Sequence, residues 1–223
     1  SDPDVLNHVA LKARVEGSPE SVSVTDGALG LDESTLKFSV KAGEFSKPDV
    51  AFDLDLDQID VDRYLPPKSD KAPAEKEKTI KTHGPKQKTD YSPLRKPVLE
   101  GTIRVGKLKA NGLRMQDLYL KVTGKNGVFH LDPLKVKLYE GDLSANGSFD
   151  VRKDTPKSSM KLKTKAIQAG PLLKDLFNKE IIEGTAQSDV AITMVGDDAD
   201  RIKRSLNGKG QFIFADGAIV GID

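Results

Sequence analysis

The sequence predicts a mainly β fold, a curved antiparallel sheet with two short covering helices. Three observations support this prediction. Apolar and polar residues alternate along most of the chain, turn-forming residues separate the alternating runs, and a helical period occurs at only two places. In residues 98–151, for example, Leu118, Leu120 and Val122 alternate with Tyr119 and Lys121. A period of two places apolar side chains on one face and polar ones on the other, as in a half-buried antiparallel sheet.

The composition limits the classes of protein to consider. The chain has 223 residues, which is enough for a buried core, but only 5% are aromatic and none is Trp. A formal net charge of +1 does not indicate a nucleic-acid partner. The absence of Cys excludes disulfides, thiolate metal sites and cysteine nucleophiles. No apolar run approaches the roughly 20 residues of a membrane span, and residues 1–4 do not resemble a signal segment. If the parent protein is exported or anchored, we expect this chain to be a piece of it.

The chain divides into three parts. Residues 1–66 are predicted to form N-terminal strands, residues 67–97 a flexible Lys/Pro-rich linker, and residues 98–223 the main sheet with its two helices. The linker has nine basic residues against four acidic ones, and it has too few apolar residues to offset its ordering entropy. We therefore expect this segment to be dispensable for folding.

Four strands are predicted in the N-terminal part. Alternation covers residues 5–15, 22–24, 36–40 and 50–56, and Asp26-Gly27 is predicted to form a turn.

In the main part, turn residues separate the strands. The predicted breaks are Asn111-Gly112, Asn126-Gly127, Asp132-Pro133 and Glu140-Gly141-Asp142. We expect Gly141 to adopt a positive φ, which a side chain would strain.

Two helices interrupt the later strands. Residues 171–177 place Leu172, Leu173 and Phe177 on one helical face, with Pro171 at a first-turn position. Asp198 can cap a second helix that carries Ile202 and Leu206. Strands are predicted around residues 160–164, 186–194 and 212–214.

No catalytic or cofactor motif is complete. Residues 101–108 nearly form a phosphate-binding loop, but Leu108 replaces the hydroxyl residue that would hold magnesium. Asp53, Asp55 and Asp57 lack the glycine and glutamate of a calcium loop. The histidines are isolated. We therefore expect no enzyme activity, no cofactor and no bound metal, and the residues alone indicate a β-rich domain of undefined function.

Several short motifs, in their order along the chain, resemble the AsmA family of bacterial envelope proteins. The first is Asp60-Val-Asp-Arg-Tyr64-Leu65-Pro66 before the charged spacer. Next come Gly101-Thr-Ile-Arg-Val-Gly-Lys-Leu, Asn111-Gly112-Leu113, Gly127-Val-Phe-His-Leu-Asp-Pro133-Leu134 and Leu138-Tyr139-Glu140-Gly141. The last are Pro171-Leu172-Leu173, Gly184, Ser205-Leu206-Asn207-Gly208-Lys209-Gly210 and Asp216–Asp223. The motifs span most of the chain, and Glu140 departs from the family pattern, which prefers a second glycine there.

This resemblance implies a location and a function. It implies a periplasmic domain, an inner-membrane anchor outside this chain, and a role in outer-membrane biogenesis. Members of the family are similar to bridge-like proteins that carry phospholipid along an apolar β-groove. The alternative is an assembly factor or scaffold that binds outer-membrane proteins. No nucleic acid is expected as a partner.

The resemblance also gives the alternating residues a candidate role as a lipid-binding face. This face would be left open for acyl chains, or it would be covered by the N-terminal strands as an ordinary core. The candidate groove residues are Leu118, Leu120, Val136, Leu138, Leu143, Phe149, Val190, Ile192, Phe212 and Phe214.

Overall fold

The structure is a computed structural model that describes residues 5–65, 89–179 and 182–219. Its strands are β1 Val9–Gly17, β2 Ser21–Leu31, β3 Ser34–Gly43, β4 Asp49–Asp60, β5 Val98–Ala110, β6 Leu113–Lys125, β7 Val128–Leu138, β8 Gly141–Asp150, β9 Lys157–Gln168, β10 Ile182–Val195 and β11 Asn207–Ile219. Its helices are α1 Ala169–Phe177 and α2 Ala199–Ser205, with 3-10 turns at Val61–Arg63 and Ser92–Leu94.

All eleven strands form one open sheet, in the order in which they occur along the chain. The predicted mainly β class is therefore confirmed. Neighbouring strands are antiparallel, with one exception: β4 and β5 are parallel. Among the described residues, substantial strand–strand contacts join sequence neighbours only, so the sheet does not fold back on itself as a sandwich.

The N-terminal strands extend the main sheet edgewise. Leu54 of β4 pairs with Ile103 of β5, and Phe52 pairs with Gly101. Residues 5–65 therefore do not cover the main sheet as a second layer.

Two predicted turns are bulges inside longer strands. Asp26-Gly27 lies within β2, where Asp26 has a φ of 51° and the pairing register with β3 shifts. Asp132-Pro133 lies within β7, between the paired residues Leu131 and Leu134. The prediction of strand breaks at these sites was wrong, because a β-bulge absorbs one extra residue while the strand continues.

The turns at Asn111-Gly112 and Asn126-Gly127 join adjacent strands as predicted, with positive φ at all four residues.

The expectation that Gly141 adopts a positive φ was wrong, although the position does require glycine. Tyr139 and Glu140 hold the positive φ angles of this turn, 47° and 63°, and Gly141 is not among the positive-φ residues. Gly141 is buried, and a Cβ there would collide with the backbone of Lys165 and Ala166 on β9. Glycine is therefore needed for a close backbone approach.

The two helices lie at opposite ends of the sheet. α1 follows β9 directly and ends at Asn178, whose φ of 54° is the left-handed conformation of a helix cap. α2 begins after Asp198, whose carboxylate accepts a hydrogen bond of 3.0 Å from the backbone N–H of Arg201. Both predicted helices are confirmed. Their main contacts are with β10, so they leave most of the sheet uncovered among the described residues.

The predicted linker is described only from residue 89 onward. Its remaining residues, 67–88, lie outside the described structure. In residues 89–97, Tyr91 is buried at 8% exposure, and the Arg95 Nε–H donates a 2.8 Å hydrogen bond to the carbonyl of Val151. This end of the segment therefore has anchors that the linker prediction did not include.

Residues 60–64 join β4 to two neighbouring turns. The Asp62 carboxylate accepts hydrogen bonds from the backbone N–H groups of Asn111 and Gly112 in the β5–β6 turn. The Tyr64 hydroxyl donates a 2.9 Å hydrogen bond to Asp32 in the β2–β3 turn. The Asp-Val-Asp-Arg-Tyr motif thus has a structural role at one end of the sheet.

Candidate functional site

One face of the sheet is apolar across nearly its whole width. Paired residues on adjacent strands point to the same face, so the pairing register identifies rows of side chains that cross the sheet. One row contains no polar residue from β2 to β11. It consists of Gly27, Phe38, Leu54, Ile103, Leu120, Leu134, Ala145, Leu162, Val190 and Gly210.

The adjacent row is also apolar, and it crosses all eleven strands. It consists of Val15, Val24, Val40, Phe52, Gly101, Val122, Leu131, Gly147, Met160, Ile192 and Gly208. At a strand spacing of about 4.8 Å, such a row is roughly 48 Å long. We call the surface formed by these two rows and the apolar residues flanking them the apolar face.

Phenylalanine rings on the apolar face lie over glycines of neighbouring strands. A Cβ at Gly27 would collide with the ring of Phe38, and a Cβ at Gly101 would collide with the ring of Phe52. The same relation holds between Gly124 and Phe129. Because each glycine leaves room for the ring, the aromatic side chains pack against the sheet surface.

Two hydroxyl groups on the apolar face pair with each other. Thr164 and Ser188 are directly opposite on β9 and β10, and their side-chain oxygens are 2.8 Å apart. Pairing satisfies both hydroxyls, so they interrupt the apolar surface less than free hydroxyls would.

The apolar face is open among the described residues. No strand packs over it, and most of its side chains are half-buried, whereas those on the two edge strands are more exposed. Leu11 on β1 is 68% exposed and Phe212 on β11 is 78% exposed. An exposed apolar surface of this extent usually marks a binding site.

Helix α1 lies across one end of the sheet. Its Asp175 carboxylate accepts a 2.7 Å hydrogen bond from the Tyr139 hydroxyl and a 2.8 Å one from the Arg114 Nε–H. The Tyr139 hydrogen bond, with the Arg114 charge, lowers the pKa of Asp175. These contacts attach the helix to the β5–β6 and β7–β8 ends.

Tyr91 packs at the end of the sheet opposite to α1. Its ring contacts Phe149 edge-on at 5.8 Å between centroids, and its hydroxyl donates a 3.1 Å hydrogen bond to Asp197. Hydrogen bonds from Thr89 and Tyr91 lower the pKa of Asp197. Next to this contact is an apolar cavity of about 240 Å³, lined by side chains that include Val122, Phe129, Leu131, Phe149, Met160 and Met194.

The opposite face is polar and crossed by ion pairs. Arg104 of β5 contacts Asp53 of β4 at 2.8 Å, and Lys163 of β9 contacts Asp189 of β10 at 3.0 Å. The acidic residues of β4 therefore belong to a solvated surface. A larger recess of about 510 Å³, lined largely by polar residues such as His130 and Lys161, also lies on this side.

All ten candidate groove residues lie on the apolar face. Leu120 and Val190 belong to the first row and Ile192 to the second, while Val136 pairs with Leu143, and Phe149 pairs with Phe129. Leu118, Leu138, Phe212 and Phe214 flank the rows. That these residues bind lipid remains a prediction.

About half of the apolar face lies on strands that carry none of the predicted groove residues. Val40, Phe52, Leu54 and Ile103 continue the rows across β3, β4 and β5. Their alternation was visible in the sequence. Nothing in the sequence indicated that β4 pairs with β5, since a charged segment separates the two strands along the chain. This pairing joins the two halves into one surface.

No helix in the described residues has both the length and the apolar character to cross a membrane.

The model of the AsmA family matches residues 4–223. No curated protein and no solved structure matches the chain significantly.

Proposed function

Because the chain belongs to the AsmA family, which is associated with the bacterial envelope and lipid transport, we propose that it carries phospholipid along the apolar face without catalysing a reaction. The observation that supports this proposal is the pair of rows, free of polar side chains, that cross the sheet and are open among the described residues. An ordinary core would be covered by a second layer.

The chemistry of the face suits acyl chains. Each CH₂ group removed from water contributes roughly 0.8 kcal/mol, so a partly covered acyl chain still gains several kcal/mol. The rows provide similar Leu, Val, Ile and Phe surfaces along roughly 48 Å. This length exceeds the thickness of the hydrocarbon core of a bilayer, which is roughly 30 Å. A chain can therefore move between similar positions without being trapped at one of them.

The headgroup would remain hydrated. Because the sheet has one wet face and one open apolar face, a bound phospholipid can keep its charged end in water while its tails lie on the sheet. We propose that this domain lies in the periplasm, held at the inner membrane by a segment outside these residues. The family's association with the envelope supports this proposal.

A scaffold for outer-membrane proteins is the second candidate. It is favoured by the outer edges of β1 and β11, which pair with no other strand of the described chain. Such edges can add a strand from a partner. The open apolar face gives lipid carriage the stronger support, because strand addition alone does not require it.

An aspartate scan on matched positions tests the proposal. Leu143→Asp and Ile192→Asp place a charge on the apolar face. Ser144→Asp and Thr193→Asp, one residue further along the same strands, place it on the polar face. The readouts are the melting temperature, the phospholipid that co-purifies, and the transfer of labelled phospholipid between vesicles.

We expect the apolar-face variants to fold and to lose both bound lipid and transfer. Because Leu143 and Ile192 are only half-buried, an aspartate there can stay hydrated. The polar-face variants should retain both activities. Folded apolar-face variants that keep their lipid would contradict the proposal, and so would unfolding of all of them, since that would identify a covered core.

A further inference from the structure

The apolar face has a depression where two small residues lie next to each other. Gly147 of β8 pairs with Met160 of β9. Two residues further along β8, Phe149 pairs with Ser158. Gly147 and Ser158 are therefore diagonal neighbours on this face, and both line the apolar cavity of about 240 Å³. The cavity forms because these two positions leave space between larger side chains.

A packed wall bounds the cavity at the end of the sheet. Tyr91 is buried there and its ring contacts Phe149. Val151 and Pro156, in the connection that follows β8, are fully buried. The backbone N–H of Gly196 donates a 2.8 Å hydrogen bond to the carbonyl of Pro156, which joins the end of β10 to the same wall. A flexible chain that lies in the cavity must therefore end at this wall.

The lining of the cavity suits hydrocarbon and not a charged group. None of the described residues that line it is Lys, Arg, Asp or Glu. Ser148 and Ser159 alternate with apolar residues, and their side chains pair with each other on the polar face, with hydroxyl oxygens 2.8 Å apart. Met160 and Met194 also line the cavity, and the unbranched methionine side chain adapts readily to the shape of a bound molecule.

The size of the cavity matches part of a lipid. An apolar cavity of roughly 150 Å³ can hold a benzene molecule, so one of about 240 Å³ can hold the last few carbons of an acyl chain but not a whole phospholipid. We propose that this cavity holds the methyl end of one acyl chain of a bound phospholipid, while the rest of the chain lies on the rows. This inference rests on the proposed function, because it assigns a fixed position to a lipid carried on the apolar face.

Photoactivatable phosphatidylcholine tests this site on the unmodified chain. One probe carries a diazirine at the methyl end of an acyl chain, and a second carries it next to the ester. Each is supplied in vesicles and irradiated after binding, and mass spectrometry identifies the labelled residues. The reference is the same end of the sheet on β3 to β5, at Ala42, Val50 and Leu99, which pair in a row.

We expect the methyl-end probe to label the cavity about four-fold more than the reference row, since covering one further CH₂ group favours a position by about this factor. The probe with the diazirine next to the ester should show no such preference, because the wall prevents this part of the chain from entering the cavity.

Two substitutions separate the cavity from the rest of the apolar face. Ser158→Leu fills the cavity and should reduce its methyl-end labelling to the level of the reference row. Ala42→Leu is the matched control, because it adds a similar volume to the same face away from the cavity, and it should leave the preference unchanged. Melting temperatures identify the folded variants. Ser158→Val, a smaller addition, serves if the leucine variant does not fold.

The outcomes distinguish this site from lipid carriage as a whole. Equal methyl-end labelling of the cavity and the reference row would overturn the site and leave lipid carriage supported. An undiminished preference in a folded Ser158 variant would also overturn the site, since the preference would then not depend on the cavity. If neither probe labels any part of the apolar face, both lipid carriage and this site are wrong.

Discussion

Individual glycines of the apolar face have specific reasons to be glycine. Gly101 and Gly43 both lie in strands, but they differ in surroundings. A Cβ at Gly101 would collide with the Phe52 ring, whereas a Cβ at Gly43 would have no neighbour within 4 Å. The two positions therefore form a matched pair for substitution.

We expect Gly101→Ala to destabilise the protein by about 1–3 kcal/mol, because the Phe52 ring must leave its position over the glycine. Gly43→Ala should have no destabilising effect. The free energy of unfolding from denaturant titration measures both changes. Equal stabilities for the two variants would show that the ring moves aside without cost.

Asp32 is the other single residue with a measurable consequence. Its carboxylate accepts hydrogen bonds from the backbone N–H groups of Leu6, Asn7 and His8 and from the Tyr64 hydroxyl. The Leu6 hydrogen bond makes the largest contribution to a pKa of about 2, below the usual value of 3.8.

Because this pKa is lowered on folding, the stabilisation is complete above about pH 4 and is lost as the pH falls through about 2. Asp32→Asn should therefore be less stable than the parent at pH 6, with the difference shrinking between pH 4 and pH 2. Asp49→Asn, at an exposed site on β4, is the control. A stability difference that stays constant down to pH 2 would contradict this assignment.

At the scale of elements, the sequence predicted most strands, both helices and the antiparallel connection of neighbouring strands in the main sheet, but not the pairing of β4 with β5. Alternation placed β6, β8 and β10 correctly, because in a one-layer sheet a wet face and an apolar face are both retained. Asp26 and Asp132 were assigned to turns because a bulge and a turn require the same local residue chemistry. The parallel pairing of β4 with β5 is a long-range contact that no local pattern encodes.

Tyr91 was also missed, for a related reason. A single aromatic residue in a Lys- and Pro-rich segment gives no periodic signal, yet its ring packs on Phe149. The candidate face was predicted on β6 to β11 because alternation identifies which residues share a face. Its continuation onto β3 and β4 required knowledge of the pairing.

The contact made by Tyr91 leads to a prediction for the segment before β5. Tyr91→Ala should cost about 3–5 kcal/mol, as for other buried aromatic residues. Tyr91→Phe should cost only about 1 kcal/mol, for the hydrogen bond to Asp197. Replacing residues 67–88 with a Gly/Ser segment of equal length should change the free energy of unfolding by under about 1 kcal/mol. A large loss in this last variant would show that the segment is needed for folding.

For the whole molecule, contacts between adjacent strands dominate the stability. Each described strand contacts mainly its sequence neighbours, as in a repeat protein, where stability is approximately a sum of nearest-neighbour terms. The central strands have two partners and the edge strands have one.

Hydrogen exchange should therefore be slowest in β5 to β8 and become progressively faster toward β1 and β11. Mass spectrometry of peptic fragments can measure this gradient. Uniform protection of all eleven strands would instead indicate a single cooperative core.

In a one-layer sheet, the distance that the apolar face spans depends directly on the number of hairpins that the gene encodes. Each two-stranded hairpin adds about 10 Å to the apolar face, since adjacent strands are about 4.8 Å apart. Adding or deleting a hairpin changes only the contacts at its own two borders, because no second layer has to be refitted. The number of strands in such a protein therefore sets the distance that the apolar face spans. Duplication of a hairpin during evolution can lengthen that distance.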